Sequence, residues 1–526
     1  MNQNGFPREE NELSYPLLKF SDHEASIWRL SDAVRGVQIF GGIGSGKSSG
    51  SGRTIALKFL QAGYGGIVLT GKVDEAKVWV DYAIETGRLD RLVLFGEKEA
   101  MKEKFSDRKY RGLDFENYIF DPLEYESTRE GHGANQTLNI VAMFMSIVKM
   151  GNRVGGSGAG SSKEPFWDMA MERCITAAVD LLDVSGQPKT VPNIAKVIQE
   201  APLGADVYGR FQKLYPVTSI DQQEDLQKWA AESYTVFCLT WALSNIEEHE
   251  KKPEPEQQAW KLQGRKRAFE VARSYFLSEF PRLPDRTRSS ITEMFYAFAN
   301  PFRSGLLADF FTGETSYQVK PEQTYTHQKI IILDFSVKEY LQAGVYAQSL
   351  YKRIWQQAIE RRDTKLYPVP VFMWIDESQY FLNEDDMMFQ TTARSAKACT
   401  VLISQNISNY YATIGGEYRK ERVDSLLGNL ATKIFHNNND HVTNEWAADT
   451  IGQEYAMSIS YGTNEDDKAD SRFGEELRHQ VLPKDFILLK TGGEKNEGLV
   501  TAYLTIADRD WGKGTTFAKV KFQQDL

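Results

Sequence analysis

What this sequence lacks narrows it first. Its 526 residues include three cysteines, Cys174, Cys238 and Cys399, far apart and without a C-x-x-C pair. That excludes a disulfide framework or a cysteine-held zinc and leaves three reduced core thiols. Nowhere does an apolar run approach the roughly 18 residues that a membrane-spanning helix needs. The densest, Lys329-Ile330-Ile331-Ile332-Leu333-Asp334-Phe335, has the length of a buried strand. A positive excess is missing as well. The net charge of −10 argues against general electrostatic capture of nucleic acid and leaves room only for a local basic channel. The first residues, MNQNGFPREENEL, carry no cationic start followed by an apolar run, so no signal peptide is expected. There is no internal repeat. The histidines are scattered, and His436 and His441, which flank an Asn-rich loop, make no metal site as a pair.

What is present is an ordinary globular composition, 41% hydrophobic and 25% charged, on a chain long enough for about three or four units. Its organising stretch is Gly41-Gly42-Ile43-Gly44-Ser45-Gly46-Lys47-Ser48, followed by Ser49, which fits G-x-x-x-x-G-K-S. Glycines let the backbone curl so that successive N–H groups face phosphate oxygens. The helix that follows adds its N-terminal amides and partial positive charge. Lys47 would reach the β- and γ-phosphates of ATP, and Ser48 would ligate Mg²⁺. The context agrees. Val34 to Phe40 reads as a strand before the loop, and Ile55, Ala56, Leu57, Phe59 and Leu60 recur at helical spacing after it.

Gly65–Thr70 reads as a second buried strand, Ala76–Gly87 as a helix, and Leu92–Phe95 and Tyr118–Phe120 as short strands. Strands alternating with helices after a P-loop predict a parallel α/β sheet. Near residue 150 the character changes. Gly151–Ser162 is a flexible loop by composition. From Pro165 to Phe311 there are helical segments only: Phe166–Asp183, Val191–Glu200, Gln222–Glu247, Ala268–Leu277 and Arg286–Phe298. The charged, proline-bearing Glu247–Arg267 reads as a solvated connection. An all-α unit is therefore expected as an insert in an α/β domain: residues 1–160 and 316–526 form the nucleotide-binding domain and 161–315 the insert. The α/β pattern resumes with a strand at Lys329–Phe335, a long amphipathic helix at Tyr340–Arg362, and strands at Val369–Ile375, Thr400–Ser404 and Thr432–Phe435.

Val371-Phe372-Met373-Trp374-Ile375-Asp376-Glu377 is an apolar strand ending in two acids. That is the Walker B pattern. Asp376 would hold Mg²⁺ opposite Ser48, and Glu377 would act as general base on the attacking water. One strand later, Gln405 is placed to sense the γ-phosphate. Between the two strands, Arg394 is either a surface charge or an arginine finger for a neighbouring subunit.

In sum these blocks resemble the type IV secretion coupling proteins, the conjugative DNA-transfer ATPases related to the septal DNA translocases. The resemblance covers most of residues 35 to 510. It rests on the P-loop, Pro165-Phe166-Trp167, Ile331–Phe335 with Gly344, Ile375–Gln379, Ala393-Arg394 to Ser404-Gln405-Asn406, Gly428–Phe435, and Asn439-Asp440, in that order. It implies a homo-hexameric ring of RecA-like P-loop NTPase domains, each with an inserted all-α domain. ATP would sit between subunits, with Lys47, Glu377, Gln405 and a trans-acting Arg394 as catalytic groups. Two departures stand out. The family usually begins with transmembrane helices, absent here, so a cytoplasmic protein is expected, drawn to the inner membrane face by a partner. The family's Asp-x-Lys-Gly-Glu-like block after the second strand is here Thr70-Gly71-Lys72-Val73-Asp74-Glu75.

The expected function is ATP-driven translocation of DNA, as a relaxase-bound single strand, into a secretion channel, with relaxase or other secretion substrates and channel membrane components as partners. The alternatives are a coupling ATPase for protein substrates and a non-motor recruitment adaptor. Arg108-Lys109-Tyr110-Arg111 and Gly264-Arg265-Lys266-Arg267 are the candidate strand contacts, set against solvated charge runs. Phe166 and Trp167 read as core of the helical insert.

Overall fold

The structure, a computed structural model, describes residues 11–154, 165–251, 256–415, 418–463, 469–512 and 514–524. It divides into two compact units, Met1–Glu116 with Pro321–Leu526, and Asn117–Lys320.

The first unit carries β1 (Pro16–Lys19), β2 (Ile27–Arg29), β3 (Val37–Phe40), β4 (Gly65–Leu69), β5 (Leu92–Phe95), β6 (Ile330–Leu333), β7 (Val371–Ile375), β8 (Ala398–Ser404), β9 (Thr432–Phe435), β10 (Gln453–Thr463), β11 (Ala469–His479), β12 (Leu499–Ile506) and β13 (Phe517–Gln523). Nine form one sheet in the order β13-β12-β9-β3-β8-β7-β4-β6-β5. From β9 to β5 every neighbour is parallel. β12 and β13 extend the β9 edge antiparallel. β6 and β7 are apolar end to end because side chains on both of their faces are buried. Phe372 of β7 stacks on Phe59 at 5.8 Å and on Trp79 at 5.4 Å. These contacts tie the helices Arg53–Gln61 and Glu75–Glu85 to one face.

The strand order also places the site. From β3 the chain runs to β4, across β8 and β7; from β8 it returns to β9 on the other side of β3. Connections diverging from adjacent parallel strands open a crevice at their carboxyl ends, where open α/β sheets bind ligands. The P-loop, the two acids and Gln405 all leave strands at that edge.

Three antiparallel features were not expected. The β1–β2 pair forms a small sheet of its own. The β12–β13 pair closes the sheet, and the β10–β11 hairpin pairs from Gln453↔His479 to Thr463↔Ala469 outside it. Near the hairpin's base Tyr455, Met457 and Leu477 are exposed.

The second unit is helical among its described residues. Its longer helices are Thr137–Val154, Pro165–Ser185, Ile220–Glu232, Tyr234–Glu250, Glu256–Ser274 and Asp285–Ala299. The helix expected over Gln222–Glu247 is two helices. Ser233 takes extended dihedrals and its hydroxyl accepts from the Val236 amide at 3.3 Å, so it ends one helix and caps the next. Tyr118–Phe120 is not a strand: Ile119 and Phe120 each make single backbone bonds to Ser316 and Phe310, with no ladder. The connection expected over Glu247–Arg267 is helical from Glu256; residues 252–255 lie outside the described ones. Of the glycine-rich loop, residues 151–154 end a helix, and residues 155–164 lie outside the described ones. No helix among the described residues is long and apolar enough to cross a membrane.

Candidate nucleotide site

The loop after β3 curls as its sequence requires. Gly44 and Gly46 take φ of 70° and 79°, conformations that glycine reaches without strain. A Cβ on Gly41 would lie 2.4 Å from Ser45 Oγ and 2.8 Å from His436 Cβ. The loop is anchored from both neighbouring strands: the Gly41 amide donates to the Ser404 carbonyl at 3.3 Å, and the Gly42 amide to that of Asn437 at 2.8 Å. Ile43 stands 89% exposed at its tip. Ser45 Oγ is buried inside the curl with no hydrogen-bond partner among the described residues. Ser49 Oγ accepts from Gln524 Nε2, beyond β13, at 2.5 Å.

Lys47 is buried. Burial lowers its pKa, and the charges of Asp376 and Glu377 partly counter that. The helix register turns Ser48 toward the end of β7, where its hydroxyl donates to Asp376 Oδ2 at 2.9 Å. Asp376 and Glu377 are both buried. Glu377 sits in the left-handed region with φ of 49°, an uncommon conformation for a non-glycine residue that clusters at functional sites. Its carboxylate accepts from Gln379 Nε2 at 2.7 Å and from Gln405 Nε2 at 3.2 Å. Burial would raise its pKa, but the Gln379 bond and the Lys72 and Lys47 charges hold it below the usual carboxylate range. Ser404 Oγ in turn donates to Gln379 Oε1 at 2.8 Å, so β8 braces the β7 loop.

Neither Gln379 nor Lys72 was singled out as a site residue from the sequence. Lys72 Nζ lies 3.0 Å from Asp376 Oδ2 and 3.1 Å from Glu377 Oε1. Burial would lower its pKa, but the two carboxylates outweigh it and raise the ammonium above the usual lysine range. Its loop is held by Glu75, whose Oε2 accepts from the Gly71 amide at 2.9 Å. Glu75 is itself buried, and burial with the nearby Asp376 charge lifts its pKa well above the usual carboxylate range. The block thus departs from the Asp-x-Lys-Gly-Glu-like pattern at its first position but keeps the lysine, and that lysine lies on the acid pair. Beneath the loop, His436 Nε2 meets Ser51 Oγ at 2.7 Å. Burial, with Lys47 nearby, pushes that imidazole down to about 3, so it is neutral under ordinary conditions.

The structure thus brings together Gly41–Ser49, Asp376, Glu377 and Gln405. Arg394 is elsewhere. It is exposed, at the end of the helix Glu384–Ala393 and just before β8 begins. Gln405 leaves the other end of β8, a seven-residue strand, so roughly 20 Å of strand separates Arg394 from its own P-loop edge. Of the candidate strand contacts, Tyr110 is buried against Phe105 at 5.1 Å, edge to face, and is no stacking platform. Lys109 pairs with Asp81 at 3.0 Å. Arg108, Arg111, Arg265 and Arg267 are exposed.

Residues 370–488, from β7 through the hairpin, match the family model described as the TraM recognition site of TraD and TraG. No curated protein matches the chain in sequence. Among solved structures, the unbound bacterial conjugative coupling protein TrwBdeltaN70 is similar with a TM-score of 0.52 at 12% identity, over 99% of this chain and 92% of that one. The chain has the coupling-protein fold. The plasmid coupling protein TrwB in complex with ADPNP, a non-hydrolysable ATP analogue, is similar with a TM-score of 0.53 at 12% identity, over 99% and 93%. TrwB in complex with ADP and Mg²⁺ is similar with a TM-score of 0.51 at 12% identity, over 97% and 89%. The architecture is thus a RecA-like P-loop NTPase unit with an all-α unit. In this coupling-protein fold, β8 separates the P-loop strand from the acid-bearing strand, which leaves Gln405 between the loop and Glu377.

Proposed function

We propose that this chain is the coupling ATPase of a conjugative type IV secretion channel, a motor that hydrolyses ATP to move DNA as a relaxase-bound single strand. One observation carries the reading: Ser48 of the P-loop is hydrogen-bonded to Asp376, with Glu377 next in the chain, buried and held by three donors. The residues fit a nucleotide with Mg²⁺. The glycine curl leaves no room for a Cβ at Gly41, Ser45 Oγ is buried without a partner among the described residues, and a hydroxyl and a carboxylate meet where an oxygen-seeking cation would sit. Lys47 and the loop amides would hold the phosphates, and Ser48 and Asp376 the ion. When bound, Mg²⁺ supplies charge neutralisation at the phosphate oxygens. Glu377 then takes the proton of the attacking water, while Gln379 and Gln405 fix the carboxylate's direction. Gln405, at the end of β8, links the site to the strand that starts beside Arg394.

Arg394 cannot serve its own loop across the length of β8. It is read as acting on the site of the next subunit in a homo-hexamer. A mixture of Arg394→Ala and Glu377→Gln subunits is then expected to regain turnover that neither variant has alone. A shared site yields one intact interface wherever a Glu377-bearing loop meets an Arg394-bearing neighbour. Absence of any recovery in mixed rings would assign Arg394 to the surface.

Partners on this reading are the relaxase or other secretion substrates, relaxosome proteins and channel membrane components. The test is Mg²⁺-dependent ATP turnover with and without single- and double-stranded DNA. Stimulation by single strands that weakens steeply with salt, through counterion release, is the expected result. Glu377-dependent turnover indifferent to DNA would make the chain a coupler of protein substrates. Gly41→Ala is expected to keep the fold but weaken binding of a fluorescent ATP analogue by about tenfold or more, because relieving the contact with Ser45 shifts the loop.

A further inference from the structure

Lys72 is not explained by hydrolysis alone. It lies on the loop that leaves β4, and β4 pairs directly with β7 in the register Leu69↔Ile375. That register sets Thr70 level with Asp376 and leaves Lys72, two residues further on, within reach of the acid pair. Its Nζ contacts Asp376 Oδ2, the same oxygen that accepts the Ser48 hydroxyl, and also reaches Glu377. A single ammonium therefore occupies the junction between the two residues read as the ion's holders and the residue read as the base. The loop beneath it is fixed. Thr70 is bonded through its amide to Gln348 Oε1 at 2.6 Å and through its hydroxyl to the Leu333 carbonyl at 2.7 Å. The Gly71 amide is held by Glu75, and a Cβ on Gly71 would lie 3.0 Å from Glu377 Cβ. The side chain itself is 45% exposed. A rigid base with a half-exposed, flexible four-carbon stem lets the charge leave without disturbing the loop.

We infer that Lys72 is an internal counter-ion: it neutralises Asp376 and Glu377 in the nucleotide-free site, keeps free divalent cations out, and yields its place only when nucleotide and ion bind together. The inference rests on the reading of Ser48 and Asp376 as the Mg²⁺ holders. Two unlike cations cannot both contact one carboxylate oxygen without strong repulsion. A free ion must displace Lys72 with nothing to offer the released ammonium. An ion that arrives with a polyphosphate brings anionic oxygens that the freed ammonium can meet. Lys72 is thus a positioning residue that ties ion binding to nucleotide binding.

Binding of Mn²⁺ alone, followed by electron paramagnetic resonance, and melting with Mg²⁺ alone or with Mg²⁺ and ADPNP test this on the full chain. Lys72→Met is expected to bind free Mn²⁺ at least about tenfold more tightly than wild type, since a contacting like charge has been removed. Mg²⁺ alone should raise the melting temperature of that variant and leave wild type unmoved. Lys72→Arg should restore the wild-type pattern, as a merely structural lysine would not. Equal free-ion affinity in wild type and Lys72→Met, while Mg²⁺ with ADPNP stabilises both, overturns the counter-ion role and leaves the ATPase reading standing. If Mg²⁺ with ADPNP stabilises neither, the ATPase reading fails and takes this inference with it. The wild-type Mn²⁺ measurement needs no variant: tight binding of the free ion there overturns the inference directly.

Discussion

Replacing Glu377 by glutamine is expected to lower ATP turnover by about 10²–10⁴-fold, the usual contribution of a positioned general base, while nucleotide binding changes little. The argument is local. The amide keeps the size of the carboxylate and can still bond Gln379 and Gln405, so the left-handed turn at the end of β7 has the same supports. The groups read as holding phosphate and ion, Lys47, Ser48 and Asp376, are untouched. What disappears is the charge that accepts the water's proton. Steady-state turnover beside equilibrium binding of a fluorescent ATP analogue separates the two effects. A fall of less than about tenfold would remove Glu377 from the role of base, because a spectator acid next to a strand end costs no more than that. Equal loss of binding and turnover would instead show that its charge shapes the ground state.

The parts of this site that could be read from the chain are those whose signal is local. The P-loop and the end of β7 each compress a strand, its termination and its chemistry into a few residues. The apolar runs at Ile330–Leu333 and Val371–Ile375 are strands because nothing polar interrupts them. Lys72 and Gln379 gave no such signal. They matter because β4 lies beside β7 and β8 braces the loop after β7, facts of strand order that no window of sequence contains. The role open to Arg394 also changes with topology. Read along the chain it sits between two site strands; in the sheet it is at the wrong end of one of them. Other misses were legible in principle. Met457–Tyr461 alternates apolar and polar residues, the period-two mark of a hairpin strand, but a search for continuous apolar runs passes over it. Ser233 offered its capping hydroxyl in plain view, within an otherwise unbroken helical pattern.

The largest expected loss of stability lies at a buried ion pair outside the groups read as binding nucleotide. Lys352, in the helix Val337–Arg361, and Asp386, in the first turn of Glu384–Ala393, meet at 2.6 Å with side chains 0% and 2% exposed. Lys352 Nζ also donates to the Phe381 carbonyl at 2.7 Å; Asp386 accepts from Gln356 Nε2 at 2.8 Å and from the Asn383 amide at 2.9 Å. The pair is therefore fully bonded where no water reaches it. Lys352→Met keeps the length of the side chain but strands a carboxylate in the interior, and breaking a buried pair from one side costs about 3–5 kcal/mol. Lys352→Met with Asp386→Leu should recover most of that loss in urea unfolding, since an apolar pair of similar volume has no charge left to desolvate. Failure of the double variant to recover would assign the cost to lost packing and to the orphaned Phe381 carbonyl and Gln356 amide. Recovery has a second consequence. The helix that Asp386 anchors ends at Arg394, so the double variant tests whether a well-packed but uncharged anchor still places that arginine. Restored stability without restored turnover in assembled rings would show that the buried charges serve the position of Arg394 more than the stability of the fold.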